Sequence, residues 1–143
     1  MTEELVFPYI TDPHHADDGT DRPLLPITLS NRQYEIQTLA LVDSGADVNV
    51  LPYQLGIELG GIWNEEQEML GLSGVTEELE SRTLMLEIII GTLPSIRMGF
   101  AWISADSVPV ILGQVSFFTH FKVCFFRASR QFEIVREPDR ISL

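Results

Sequence analysis

The feature that most restricts the fold of this chain is a carboxylate placed between two apolar runs. Residues 34–42 alternate in polarity, Asp43, Ser44 and Gly45 follow, and residues 48–51 begin a second apolar run. Alternating polarity is typical of a half-buried strand, and a short apolar run next to turn residues is typical of a buried one. Glycine lets another part of the backbone approach closely. The pattern therefore predicts a strand, a sharp turn that presents an acid beside a hydroxyl, and a second strand.

The rest of the pattern predicts an all-β domain. Many short strands with one short helix are typical of a closed or partly closed barrel. A long hairpin with a glycine-bracketed tip is predicted over residues 67–90, and its weakly anchored tip is interpreted either as a mobile flap or as an ordinary surface hairpin. The other predicted elements are a hairpin of 24–29 and 34–42, strands at 48–51, 96–102 and 108–112, a helical turn within 53–61, a short helix within 114–121, and a closing hairpin of 122–126 and 131–135.

Length and composition predict one domain with two extensions. A chain of 143 residues is long enough for one core and short for two. Residues 1–22 are expected to form an N-terminal arm, flexible in part because its second half is polar, acidic and contains Pro and Gly. Residues 23–135 are expected to form the domain and residues 136–143 a tail.

The net charge of −12 argues against nucleic acid and anionic membranes as partners, because both would be repelled. The N-terminus has neither the positive region nor the apolar region of a signal peptide. The longest uncharged stretch, residues 107–121, contains Pro109 and Gly113 and is too short to cross a bilayer. We therefore expect a soluble, cytoplasmic protein.

No residue pattern indicates a metal or another cofactor. The chain has one cysteine, Cys124, which lies in an apolar run. His14 and His15 are adjacent in the acidic part of the N-terminal arm, where side chains are poorly pre-organised for a metal. We expect neither a metal site nor a cofactor.

Two sequence landmarks resemble the signatures of one family. Ala-Leu-Val-Asp-Ser-Gly-Ala-Asp at 40–47 and Val-Ile-Leu-Gly at 110–113 resemble the catalytic and C-terminal signatures of the retroviral-type aspartic proteases, the retropepsins. A Gly-containing hairpin lies between them, where that family has its flap. The resemblance covers roughly residues 23–135 and is closest to stand-alone prokaryotic members. It implies a retropepsin-like β-barrel with a flap hairpin and one short C-terminal helix.

The resemblance also implies the site residues. Asp43 would be the catalytic carboxylate, one in each subunit, and the catalytic turn would include Ser44, which bonds across a dimer, and Gly45, whose backbone contacts substrate. The implied substrate-binding residues follow the turn or lie at the flap tip; they are Ala46, Asp47, Gly71, Leu72, Ser73 and Gly74. For Asp47 the resemblance implies either binding of the substrate backbone or bracing of the dimer.

A single catalytic motif implies that two chains form the site. Aspartic proteases need one carboxylate to accept a proton from water and another to donate one. The only other candidates fail the motif, since Asp18 is followed by Gly-Thr in the arm and Asp106-Ser107 is followed by Val108. We therefore expect a homodimer that hydrolyses protein or peptide substrates, with an acidic pH optimum.

One position departs from the resemblance. The family often has an arginine, paired with the acid at position 47, directly after the glycine of the C-terminal signature; here that position is Gln114. The chain ends are also longer than in minimal viral enzymes, and those ends build the viral dimer. The alternative is therefore a catalytically weak module of the same fold that dimerises or binds peptides.

Overall fold

The computed structural model describes residues 4–11, 20–64 and 80–137. Within these ranges the chain is mostly β-strand, with two short α-helices and a 3₁₀ turn. The elements in chain order are β1 (Glu4–Pro8), β2 (Ile10–Thr11), β3 (Asp21–Arg22), β4 (Leu24–Asn31), β5 (Tyr34–Val42), β6 (Val50–Leu51), α1 (Tyr53–Glu58), β7 (Ser81–Ile89), β8 (Ile96–Ile103), β9 (Val110–Leu112), α2 (Phe117–His120), β10 (Phe121–Phe126), the 3₁₀ turn (Arg127–Ser129) and β11 (Gln131–Arg136).

Six strands form a closed barrel in the order β4-β5-β9-β6-β8-β7. β4 pairs antiparallel with β5 on one side and with β7 on the other, which closes the barrel. β9 runs parallel to β5 and antiparallel to β6. The strands before and after the Asp-Ser-Gly turn therefore both pair with β9, which holds the two ends of the turn in one sheet.

Inward-facing apolar side chains fill the barrel. The alternating residues Leu25, Ile27 and Leu29 of β4 are buried, as is most of β8. Trp102 of β8 is almost fully buried, and its indole Nε1–H donates to the Tyr53 carbonyl at 2.9 Å. This contact attaches α1 to the barrel wall, so the segment that follows the turn is fixed on the same core.

A second sheet, in the order β1-β11-β10, packs against the barrel. β1 pairs antiparallel with β11, and the rings of Phe7 and Phe132 stack with their centroids 5.6 Å apart. Leu5 and Phe7 pack against the main core. The sequence pattern did not indicate β1, because four apolar or proline residues in a row do not alternate and the partner strand lies at the other end of the sequence.

The all-β barrel and the hairpins predicted over residues 24–42 and 122–135 are confirmed. Three predicted elements are shorter in the structure: the strands at 48–51 and 108–112, and the helix at 114–121. The helix does not begin at 114 because Gln114 and Val115 donate their backbone N–H groups to residues 46 and 47. The outgoing arm and the tip of the long hairpin lie outside the described residues, as do His14 and His15, whereas its return arm is β7.

No helix in the described residues is both long and apolar enough to span a bilayer.

Candidate active site

Asp43 lies directly after β5, at the point where that strand pairs with β9. The register pairs Ala40 with Val110 and Val42 with Leu112. The backbone N–H of Asp43 donates to the Leu112 carbonyl at 3.0 Å, so the ladder continues to the acid itself. The backbone that carries the carboxylate is therefore fixed by the barrel and not by a loop.

Backbone N–H groups of the turn orient Asp43 and its carboxylate. The backbone N–H of Gly45 donates to Oδ1 of Asp43 at 2.8 Å, and the N–H of Ala46 donates to the Asp43 carbonyl at 3.2 Å. A hydrogen bond to a carboxylate is stronger than one between neutral groups. Asp43 is half-buried, whereas Ser44 and Gly45 are exposed. The site thus presents an oriented carboxylate that water can reach.

The segment after β9, residues 113–115, supports the turn through hydrogen bonds. The backbone N–H of Gln114 donates to the Ala46 carbonyl at 2.9 Å, and the N–H of Val115 donates to the Asp47 carbonyl at 2.8 Å. The side-chain Nε2 of Gln114 donates to the Ser44 carbonyl at 2.8 Å. Retropepsins often have an arginine at this position. Here Gln114 holds the turn instead, through a hydrogen bond from its neutral side-chain amide to a backbone carbonyl.

Asn49 supports this brace and was missed by the sequence analysis. Its side chain is fully buried, and its Oδ1 accepts the backbone N–H of Gly113 at 2.9 Å. Its Nδ2 lies 3.6 Å from the sulfur of Met98, and its carbonyl accepts the N–H of Ala101 at 2.8 Å. An amide inside an apolar run is the signal that would have identified it, because a buried polar side chain needs partners.

Replacing Asn49 with alanine is expected to destabilise the protein by about 1–3 kcal/mol, because the buried N–H of Gly113 loses its acceptor. Replacing the exposed Gln114 with alanine should cost less than about 1 kcal/mol, because water can take over its hydrogen bond. Urea unfolding of the two variants beside the wild type measures both values. Equal costs would mean that the buried amide is not the main support of the turn.

The structure brings five of the predicted site residues together on the one turn: Asp43, Ser44, Gly45, Ala46 and Asp47. The other four, Gly71, Leu72, Ser73 and Gly74, lie outside the described residues. Among the residues that the structure describes, no group of three or more His, Cys, Asp or Glu side chains is arranged to hold a metal ion.

Solved structures with a similar fold are aspartic proteases. A retropepsin-like aspartic protease from Rickettsia conorii is 16% identical, with a TM-score of 0.58 over 95% of this chain and 94% of the other. The EIAV protease complexed with the inhibitor HBY-793 is 22% identical, with a TM-score of 0.50 over 64% of this chain and 81% of the other. No protein-family model and no curated protein sequence matches the chain. The chain therefore has the fold of the retropepsin-like aspartic proteases, as its sequence landmarks imply.

Proposed function

We propose that this chain is an aspartic endopeptidase whose active site contains Asp43 from each of two identical subunits. The observation that carries the proposal is the oriented Asp43 carboxylate on a braced turn of a retropepsin-like barrel. Retropepsin-like neighbours are proteases by their names, and the intact Asp-Ser-Gly sequence supports the same chemistry here.

The chemistry needs two carboxyl groups and one shared proton. Two carboxyls about 3 Å apart do not both ionise, so one is charged while the other carries the proton. The charged one takes a proton from water, the water oxygen attacks the peptide carbon, and the other carboxyl protonates the carbonyl oxygen. The first carboxyl then gives the proton it took from water to the nitrogen, while the second takes a proton back from a hydroxyl of the gem-diol. The C–N bond breaks, the products are an amine and a carboxylic acid, and the pair again shares one proton. Water is the nucleophile, so Ser44 forms no covalent intermediate.

A second copy of the chain is the natural source of the second carboxyl. Asp106 is not a second copy of the motif, because Ser107 is followed by Val108 and not by glycine. Next to the catalytic turn, Ser44 is exposed and Val115 is 63% exposed. An isologous interface across this surface would bury Val115 and place the two Asp43 side chains on the two-fold axis. Ser44 would then donate a hydrogen bond across the axis.

The substrate in this proposal is an extended peptide. Gly45, Ala46 and Asp47 would contact its backbone, and residues 71–74 would cover it. Apolar side chains of the substrate should be favoured, because clefts in such folds are lined mainly by aliphatic residues. The chemistry requires neither a metal nor a cofactor.

Cleavage of a denatured protein substrate by the wild type tests the proposal. When cleavage is followed by mass spectrometry from about pH 3 to about pH 8, we expect internal cleavage with an acidic optimum, because the pair must hold one proton. Activity per chain should rise with protein concentration until the dimer, followed by analytical ultracentrifugation, is fully formed. Full activity in a confirmed monomer would contradict the dimeric site. An inactive but confirmed dimer would indicate a peptide-binding module instead.

A further inference from the structure

A concave surface lies apart from the Asp-Ser-Gly turn. It is a groove of about 430 Å³ between the β4–β5 turn, the loop after α1, and strands β7 and β8. Tyr34 at the start of β5 and Val42 at its end are separated by the whole strand, which corresponds to about 25 Å at the usual rise per residue. The groove is therefore separate from the site around Asp43.

The walls of the groove are fixed by contacts between the elements that form it. The side-chain Nδ2 of Asn31 donates to the Leu59 carbonyl at 2.7 Å, which ties the β4–β5 turn to the loop after α1. Gly60 has a φ of +77°, and a Cβ at this position would lie 2.5 Å from the Tyr34 ring. Glycine, which tolerates the positive φ and has no Cβ, therefore allows the loop to lie this close to the ring. The backbone that forms this side of the groove is held in place by these two contacts.

Exposed apolar side chains are concentrated along this groove. Three of the eight large apolar side chains that are exposed in the described residues line it: Ile62, Met85 and Tyr34, with exposed fractions of 88%, 39% and 42%. Apolar surface that is gathered in one place, with polar groups around it, is typical of an interaction site. Single apolar residues scattered over a surface carry no such meaning.

Two guanidinium groups line the same groove. Arg32 and Arg97 are both exposed, and within residues 4–11, 20–64 and 80–137 neither has an ion-pair partner. Glu87 lies opposite Arg97 in the β7–β8 register and lines the adjoining cavity with both arginines. The described residues that line the groove therefore include two arginines and no acid, and Glu87 lies at its edge. The charge of −12 on the whole chain repels an acidic ligand at long range. Within the groove the two arginines dominate, because charges farther away than about 8 Å are largely screened at physiological ionic strength.

We propose that this groove binds an extended acidic peptide segment of a partner protein. Carboxylates of the peptide would pair with Arg32 and Arg97, since a guanidinium matches a carboxylate with two parallel hydrogen bonds. A neighbouring apolar side chain of the peptide would pack on Tyr34, Ile62 and Met85. This docking site does not depend on the peptidase activity.

Fluorescence anisotropy with a labelled peptide of alternating glutamate and leucine tests the proposal. The full chain is used with Asp43→Asn, so that cleavage does not remove the probe. We expect saturable binding, and a loss of about tenfold in affinity when Arg32→Gln and Arg97→Gln are combined. Glu87→Gln should instead increase the affinity, because it removes a repelling carboxylate from the edge of the groove.

Arg130→Gln is the matched control. Arg130 has the same charge as Arg32 and also a left-handed backbone conformation, with φ of +53° against +58°. It lies on the β10–β11 hairpin, where it is 72% exposed and pairs with Asp21 at 3.5 Å, so its loss removes a positive charge outside the groove. Its replacement should leave the affinity unchanged. The proposal is overturned if the probe does not bind, if a peptide of alternating glutamine and leucine binds equally well, or if Arg130→Gln weakens binding as much as the groove variants do. Displacement of the probe by a single-stranded oligonucleotide would assign the groove to nucleic acid instead.

Discussion

Replacing Asp43 with asparagine is expected to abolish peptide hydrolysis and to leave the fold intact. An asparagine keeps the oxygen that accepts the Gly45 N–H, so the turn retains its 2.8 Å hydrogen bond. The amide cannot exchange a proton with water, and the loss of a general acid–base group reduces rates by about 10²- to 10⁴-fold. Since both subunits lose the group, we expect the rate of hydrolysis to fall by about 10⁴-fold or more. Cleavage rates and thermal unfolding curves measured on the same samples test the two halves of the prediction.

Asp106→Asn is the matched control for this change. Oδ1 of Asp106 also accepts a backbone N–H at 2.8 Å, from Gln54, so the two substitutions alter the same kind of hydrogen bond. Asp106 lies in the loop between β8 and β9 and is not part of the Asp-Ser-Gly motif, so its variant should keep wild-type activity. An Asp43→Asn protein that is folded and still active would refute the assignment of Asp43. Equal losses in both variants would point to a general effect on folding.

Mixing the two proteins tests whether the site is shared. If each active site needs Asp43 from both subunits, mixed dimers of wild type and Asp43→Asn hold only one catalytic carboxylate. We therefore expect an excess of the variant to lower the activity of a fixed amount of wild type after subunit exchange. Unchanged activity, in mixtures where exchange is confirmed by mass spectrometry, would contradict a shared site.

The parts of the fold with local signals were predictable from the sequence. The hairpin of β4 and β5 has alternating polarity on both sides of a short turn, and it delivers Asp43 where the pattern indicated. The turn itself was predictable because an acid, a hydroxyl and a glycine follow a strand without interruption. In both cases the information lies within a few neighbouring residues.

The parts that depend on distant pairings were not predictable. Gln114 and Asn49 act on the turn only because β9 is inserted between β5 and β6. The groove likewise combines Arg32 and Arg97, which belong to separate hairpins. The sequence marks Asn49 only as a polar residue in an apolar run. The partners in both arrangements have no local signature, since they are brought together by the order of strands in the closed barrel. The resemblance to retropepsins supplied the positions of the landmarks but not these contacts.

Gly113→Ala is expected to be among the most destabilising single substitutions near the site. A Cβ at this position would lie 2.5 Å from the Val48 carbonyl oxygen and 2.8 Å from the Ala46 carbonyl oxygen. Both are backbone atoms, so the strain cannot be relieved by a change of rotamer. Overpacking of this kind costs about 1–3 kcal/mol, and the upper end applies here because the neighbouring backbone must move. Thermal unfolding should show a midpoint lowered by roughly 5–10 °C.

The same displacement should reduce catalysis beyond its effect on stability. Moving residue 113 pulls Gln114 away from the Ser44 and Ala46 carbonyls and so weakens the hydrogen bonds that hold the Asp-Ser-Gly turn. We therefore expect a lower kcat even at temperatures where the variant is fully folded. Gly99→Ala is the control, because a Cβ there would lie 3.3 Å from the flexible sulfur end of Met85, which can shift. If Gly113→Ala unfolds at the wild-type temperature, residues 46, 48 and 113 do not approach as closely as the structure shows, and the brace on the turn would need a different explanation.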